Sequence, residues 1–226
     1  MDTIDYKKTP LLKYLTEEEI KRFISKPQIK EFKKGEYIFR SKDEARQMYI
    51  VYDGFMKISM FLSDGREQIL YIYKEGDFVG GFNIISGDRY VYTSVALTDT
   101  KIIIIHKEDF EDILLKNVKI LRKLLDQSYY RIRKSEELID RLSVINADMK
   151  VAKLLIDLIK ICGKKKNNKI LLDLNINREE LGSYTGVSRE TISRKLNHFE
   201  TMNIISLLPK GKILIEDLEA LYDMTI

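Results

Sequence analysis

The 226-residue sequence predicts an α+β protein: an N-terminal antiparallel β-roll of the jelly-roll type, a long dimerisation helix and a C-terminal winged helix-turn-helix. Three observations predict it. Residues 29 to 105 form short β-rich runs punctuated at Gly35, Gly54, Gly65, Gly76 and Gly87, the even turn spacing of an antiparallel barrel or sandwich rather than of βαβ units. The apolar period then changes from two to helical. Near the C-terminus, GVSRETISRKLNHFETM precedes two β-runs around a Pro-Lys-Gly-Lys turn.

The elements follow in order. Thr16-Glu17-Glu18-Glu19 is a capping box that opens a short helix, because the threonine hydroxyl and the third-position glutamate each satisfy a helix-end N–H. The runs YIVYDGFMKISMF and REQILYIY then read as strands between glycine turns. Leu121, Leu125, Ser128, Ile132, Ser135, Ile139 and Leu142 recur at alternating spacings of four and three over about three heptads, which is a coiled-coil seam. The alternative is one amphipathic helix packed on its own barrel. Ser128 and Ser135 are costly in a generic zipper and suit a seam that also lines a polar ligand pocket. The expected domains are a sensing β-roll over residues 1–115, the dimerisation helix over 116–144, and the winged helix-turn-helix over 145–226.

Composition excludes several classes. The net charge of +4 is only mildly basic, so any basic footprint is local. One cysteine, Cys162, lies in the apolar run VAKLLIDLIKIC and reads as a core thiol. A single cysteine cannot build a disulfide, a multi-cysteine zinc site or a cysteine-ligated iron–sulfur cluster within the chain. No run approaches transmembrane length and the N-terminus lacks a signal-peptide core, so a cytoplasmic protein with no membrane partner is expected.

In the last third, a helix runs through Cys162 to a basic turn, KKKNNK, and a short strand, ILLDL. Lys164, Lys165, Lys166 and Lys169 read as a solvated loop, or as phosphate contacts if the loop lies near a groove. Asn177 with Glu180 caps the helix NREELGSY, Gly186 permits a tight turn, and Ser188 caps a second helix from Arg189 to about Met202. Ile192, Leu196 and Phe199 share one arc of that helix and Arg189, Glu190, Ser193 and Arg194 spread over another. The second helix of such a pair enters the DNA major groove, where arginine grips guanine O6 and N7 and glutamate accepts from cytosine N4. A surface ion pair between Glu190 and Arg194 is the alternative reading. The following hairpin, with Lys210 and Lys212 in its turn, and the terminal EDLEALYDM complete a winged helix whose lysines suit the DNA backbone.

Over nearly its whole length the chain resembles the cyclic-AMP receptor protein and fumarate/nitrate reduction regulator (CRP/FNR) superfamily. GVSRETISRKL with its wing, KKGEYIF, YDGFMKI, EGDFVGGFNII and the long helix carry the resemblance. It implies a homodimeric, effector-gated transcription regulator with a cyclic-nucleotide-binding-like β-roll, bound to double-stranded DNA at an inverted repeat, with RNA polymerase as partner if it activates. By resemblance Arg189, Glu190 and Arg194 read bases in a half-site of the TGA kind. Ser193 stands where the oxygen-sensing branch reads the outer base.

The effector is unknown, and so is any cofactor. The resemblance puts the pocket at Gly80, Gly81, Phe82, Arg89, Val91, Tyr92 and Thr93 with Ser128 and Ser135. Gly81 stands where the cyclic-AMP branch offers a glutamate, and Val91 where it offers an arginine. Cyclic AMP in the usual pose therefore lacks its bidentate phosphate partner and its ribose acceptor. Arg89 shares strand parity with Val91, so a shifted register would restore a phosphate contact. The N-terminal cysteine cluster of the oxygen-sensing branch is absent, and the two histidines, His106 and His198, read as ordinary strand-end and helix residues rather than haem ligands. Two competing functions stand beside this one: a nucleotide-binding signalling module without DNA, and a cupin-type metal enzyme, which would need clustered histidines.

Overall fold

A computed structural model of the chain describes residues 4–6, 9–24, 26–143, 146–167, 169–174 and 176–225. Its packing divides into two compact units, Met1–Ile58 with Tyr71–Lys134, and Ser59–Leu70 with Ser135–Ile226. The long helix contributes to both units instead of forming a body of its own. The expected boundary at residues 144 and 145 lies outside the described residues.

The N-terminal half carries eight strands: β1 (Gln28–Phe32), β2 (Tyr37–Phe39), β3 (Gln47–Asp53), β4 (Met56–Phe61), β5 (Glu67–Tyr73), β6 (Phe78–Val79), β7 (Thr93–Ala96) and β8 (Thr100–His106). They form two four-stranded sheets ordered β1-β8-β3-β6 and β2-β7-β4-β5. Antiparallel pairing of β3 with β8 runs from Gln47↔His106 to Asp53↔Lys101, with a register shift between Val51 and Asp53. Met48, Ile50, Ile102, Ile103 and Ile105 from one sheet and Ile38, Phe39, Met56 and Ile58 from the other join one buried cluster, as two sheets closing over a shared apolar layer require. Each such side chain contributes about 1.5–3 kcal/mol when fully buried.

All five punctuating glycines have φ between +70° and +88°. At Gly54 the need is also steric: a Cβ would stand 2.6 Å from the Asp99 carbonyl oxygen.

Short helical stretches precede, interrupt and follow the β-region. The first helix, α1 (Glu17–Lys21), carries the expected capping box. The second, α2 (Gly81–Ser86), falls within the span read as β-rich; it forms because left-handed Gly80 and Gly87 stop the strand before it and the helix after it. A third turn, α3 (Lys107–Asp109), leads through a π-turn at Phe110–Leu114 to α4 (Val118–Ser143).

The C-terminal unit contains α5 (Ala147–Cys162), β9 (Gly163–Lys166), β10 (Lys169–Leu172), α6 (Arg178–Thr185), α7 (Arg189–Thr201), β11 (Ile205–Leu207), β12 (Ile213–Ile215) and α8 (Leu218–Asp223). Its sheet is ordered β11-β12-β10-β9. The basic turn expected as a loop is thus largely a strand: Lys164 and Lys165 pair with Leu171 and Ile170. Exposed lysines on that edge strand resist further strand addition. Cys162 is buried, its thiol donating to the Leu158 carbonyl at 3.3 Å.

Candidate nucleic-acid interface and effector pocket

Local chemistry builds the helix-turn-helix. Asn177 Oδ1 accepts from the Glu180 N–H at 2.9 Å while Glu180 Oε2 accepts from the Asn177 N–H at 3.0 Å. The turn follows at Gly186, whose φ is +72° and whose N–H reaches the Gly182 carbonyl at 2.8 Å. Gly182 is required by contact, since a Cβ there would lie 2.6 Å from the Val187 carbonyl oxygen. Ser188 Oγ then accepts from the Thr191 N–H at 3.2 Å and starts α7.

On α7, Ile192, Leu196 and Phe199 are wholly buried, whereas Ser188, Arg189, Glu190 and Arg194 are exposed and Ser193 is half-buried. Lys195 Nζ meets Asp148 Oδ2 at 2.6 Å, with both side chains less than a quarter exposed, which ties α7 to the first turn of α5. Among the described residues Glu190 and Arg194 make no ion pair with each other, and the two arginines outnumber the one glutamate on this face. The Glu190 carboxylate is held below the usual glutamate range by its own backbone N–H and then by the Ser188 hydroxyl. It stands ionised, as an acceptor.

The turn between β11 and β12 separates its two lysines. Lys210 is exposed and occupies left-handed backbone at φ +61°. Lys212 is half-buried and its Nζ pairs with Asp173 Oδ2 at 2.8 Å, so the two do not act alike. Lys169 is likewise paired, with Glu216, while Lys164, Lys165 and Lys166 remain exposed.

The proposed seam residues of α4 lie on the outside of the chain. Leu125 is 70% exposed, Ile132 58% and Ile139 65%; Leu121 and Leu142 are exposed as well, and Ser128 and Ser135 are half-buried. A different face, Ile120 and Leu124, is buried in the β-roll core.

The expected effector residues are only partly brought together. Gly80 is left-handed at φ +97°, and a Cβ would stand 2.7 Å from the Gln47 carbonyl oxygen. A Cβ on Gly81 would stand 3.1 Å from the Phe110 ring, so an aromatic fills the neighbourhood where the cyclic-AMP branch would offer a carboxylate. Arg89 turns away: its guanidinium donates to the Lys42 carbonyl at 2.8 Å, in a surface cleft with Glu44, Arg46 and Asp88. Val91 is exposed. The Thr93 hydroxyl accepts from the Ser41 N–H at 3.2 Å, Tyr92 packs on the core, and Ser135 belongs to the second unit. Phe82 remains, with the Arg131 guanidinium 5.8 Å from its ring centroid.

Sequence reasoning missed Tyr71, Tyr73, Gln127 and Arg131. Arg131 also lies 5.6 Å from the Tyr71 centroid, and the Tyr71 and Tyr73 rings are 6.0 Å apart. The only signals were the Tyr-Ile-Tyr run and the one-turn spacing of Gln127 from Arg131.

Comparison with known proteins agrees with this geometry. Residues 29–117 match the family model of the cyclic nucleotide-binding domain, and residues 149–224 that of the Crp-like helix-turn-helix domain. The fumarate and nitrate reduction regulatory protein of Vibrio cholerae is 31% identical over 183 residues, covering 81% of this chain and 72% of that protein. The structure of FixK2 from Bradyrhizobium japonicum superposes with a TM-score of 0.79 at 24% identity, over 88% of this chain and 98% of that one. A CRP/FNR-family regulator from Thermus thermophilus, TTHA1359, gives 0.71 at 20% identity, over 88% and 98%. With both halves matched in this order and a curated regulator related over most of its length, the cupin-type enzyme and the DNA-free module fall away, and the chain belongs to the CRP/FNR superfamily of DNA-binding transcription regulators.

Proposed function

We propose that the chain works as a cytoplasmic homodimer that reads an inverted repeat in the major groove through α7, gated by a small effector in the β-roll. One observation carries the reading: α4 leaves Leu125, Ile132 and Ile139 more than half exposed at heptad spacing. A monomer would keep that stripe in water, whereas two copies bury it knob into hole. Two-fold pairing sets two copies of α7 on successive major grooves, about 34 Å apart, and calls for half-sites one helical turn apart. Glu190 and Arg194 would read a G·C pair in each half-site, flanked by a position sensitive to Arg189 or Ser193, with Lys210 on the phosphate backbone.

The effector is neither cyclic AMP in its usual pose nor an iron–sulfur cluster held by cysteines. Gly81 and Val91 lack the groups that would hold a cyclic phosphate and ribose, and the chain has one cysteine. If the protein activates, RNA polymerase is its further partner. The test is selection from random duplexes with purified protein, together with sedimentation. Palindromic sites bound by a dimer are expected; a non-palindromic site bound by a monomer would overturn the reading.

A further inference from the structure

Two kinds of contact hold α7, and they constrain it differently. Its apolar residues Ile192, Leu196 and Phe199 are wholly buried. Burial of that kind is strong but non-directional, so it presses α7 onto the unit and sets its roll about its own axis only loosely. Two polar contacts are directional. Lys195 Nζ meets Asp148 Oδ2 at 2.6 Å, and Glu200 Oε1 accepts from the Leu207 N–H at 2.7 Å. At 3.6 residues per turn, Lys195 and Glu200 lie about 70° to either side of the middle of the buried arc. A directional contact on each flank of the apolar seam fixes the roll that the seam leaves loose.

Asp148 gives the Lys195 contact a firm base. It lies in the first turn of α5, where the helix N-terminus favours a carboxylate, and its N–H donates to the Asn146 side chain at 2.8 Å. The helix is anchored in turn by buried Val151, Leu154, Leu155 and Leu158. The Lys195 and Asp148 side chains are only 22% and 23% exposed, and Asp148 Oδ1 is shielded with no hydrogen-bond partner among the described residues. Two charges are thus largely withdrawn from water for one contact, with half of the carboxylate left unpaired. Such a pair adds little net stability, since well-packed apolar residues in its place are often neutral or better. What it supplies is direction.

We propose that Asp148 is a specificity-determining positioning residue: through Lys195 it sets the roll of α7, and with it the direction in which Glu190 and Arg194 point. This rests on the reading of α7 as the base-reading helix. An arginine that grips guanine O6 and N7 needs two parallel hydrogen bonds, each with narrow limits of distance and angle. Phosphate attraction is electrostatic and has no such limits. A change of roll therefore weakens specific binding more than non-specific binding.

The experiment measures the affinity of the full chain for its selected operator and for an unrelated duplex at fixed salt, together with denaturant midpoints. The double variant Asp148→Leu with Lys195→Met replaces the ion pair by an apolar one. It should keep its midpoint at or above that of the unsubstituted protein, while the ratio of specific to non-specific affinity falls about tenfold or more, the loss of one base contact. Asp148→Asn should lower the same ratio, and serves alone should the double variant fail to fold. Lys195→Arg, which keeps a cation for Asp148, should retain most of the ratio. A purely structural pair would move the midpoint and leave the ratio alone, so an unchanged ratio in Asp148→Asn and in the folded double variant would overturn the positioning role. Equal losses on both duplexes in Lys195→Met, with a shallower salt slope, would make Lys195 a phosphate contact and overturn it as well. If Arg194→Ala leaves base preference unchanged, α7 is not the reading helix and both claims fall; if Arg194→Ala relaxes preference while the Asp148 variants do not, the reading stands and the positioning role falls.

Discussion

The helices α4 and α7 are both amphipathic, and they leave opposite faces free. The apolar residues of α7, Ile192, Leu196 and Phe199, are wholly buried, and its arginines and glutamate face water. Among the described side chains of α4 only Ile120 and Leu124 are buried, and the longer stripe through Leu125, Ile132 and Ile139 is exposed. A free polar face on a well-anchored helix suits a polar partner such as nucleic acid. A free apolar face at heptad spacing suits a second copy of itself. One chain therefore displays two surfaces with different chemistry, and each should fail separately.

The largest expected effect is on α4. Leu125→Lys with Ile132→Lys places unpaired charges in the proposed interface, costing several kcal/mol of association. Sedimentation should show a monomer with unchanged far-UV circular dichroism, since both side chains are exposed within one chain. A double variant that remains a dimer would mean that the stripe is not the seam.

On α7 the expected effects are smaller and affect specificity. Arg194→Ala should cost about 1–3 kcal/mol at the specific site and relax preference at one base pair, leaving the sedimentation profile intact. Competition binding against a panel of single-base operator variants measures this, and unchanged preference would remove Arg194 from base reading. Ser188→Ala removes the cap that accepts from the Thr191 N–H and should lower stability by about 1 kcal/mol, read from denaturant midpoints.

The two helices were alike in how legible they were. Everything that builds α7 is close in sequence: Ser188 caps it, Gly186 turns into it, and the buried positions recur at helical spacing. The apolar stripe of α4 through Leu125, Ile132 and Ile139, which is exposed within one chain, was legible for the same reason. Pairing between segments distant in sequence was not. Lys164 to Lys166 read as a loop because their strand state depends on β10. The burial of Tyr73 was hidden because β5 follows no alternation, with Gln68, Ile69, Ile72 and Tyr73 all buried; parity therefore could not say which tyrosine points inward. Arg89 shows the opposite failure: it shares parity with Val91, but its guanidinium is drawn to the Lys42 carbonyl, which strand parity does not encode.

The smallest effect sharpens the comparison within the wing, where two lysines two residues apart have different surroundings. Lys210 is exposed, and Lys212 is held by Asp173 at 2.8 Å. If Lys210 lies on a phosphate, Lys210→Ala should weaken all DNA sequences alike and reduce the slope of log affinity against log salt by about 0.9, the value for one released counterion. Lys212→Ala should leave that slope nearly unchanged, because its charge is already matched by a carboxylate, and should instead cost about 0.2–1 kcal/mol of stability, the range of a partly exposed ion pair. Asp173→Asn frees Lys212 without removing it, so this variant should steepen the slope if Lys212 can then reach the backbone. Salt titrations of the three variants on one operator and one unrelated duplex decide the matter: equal slopes for Lys210→Ala and Lys212→Ala would mean that the wing contacts DNA as a diffuse charge rather than through one residue.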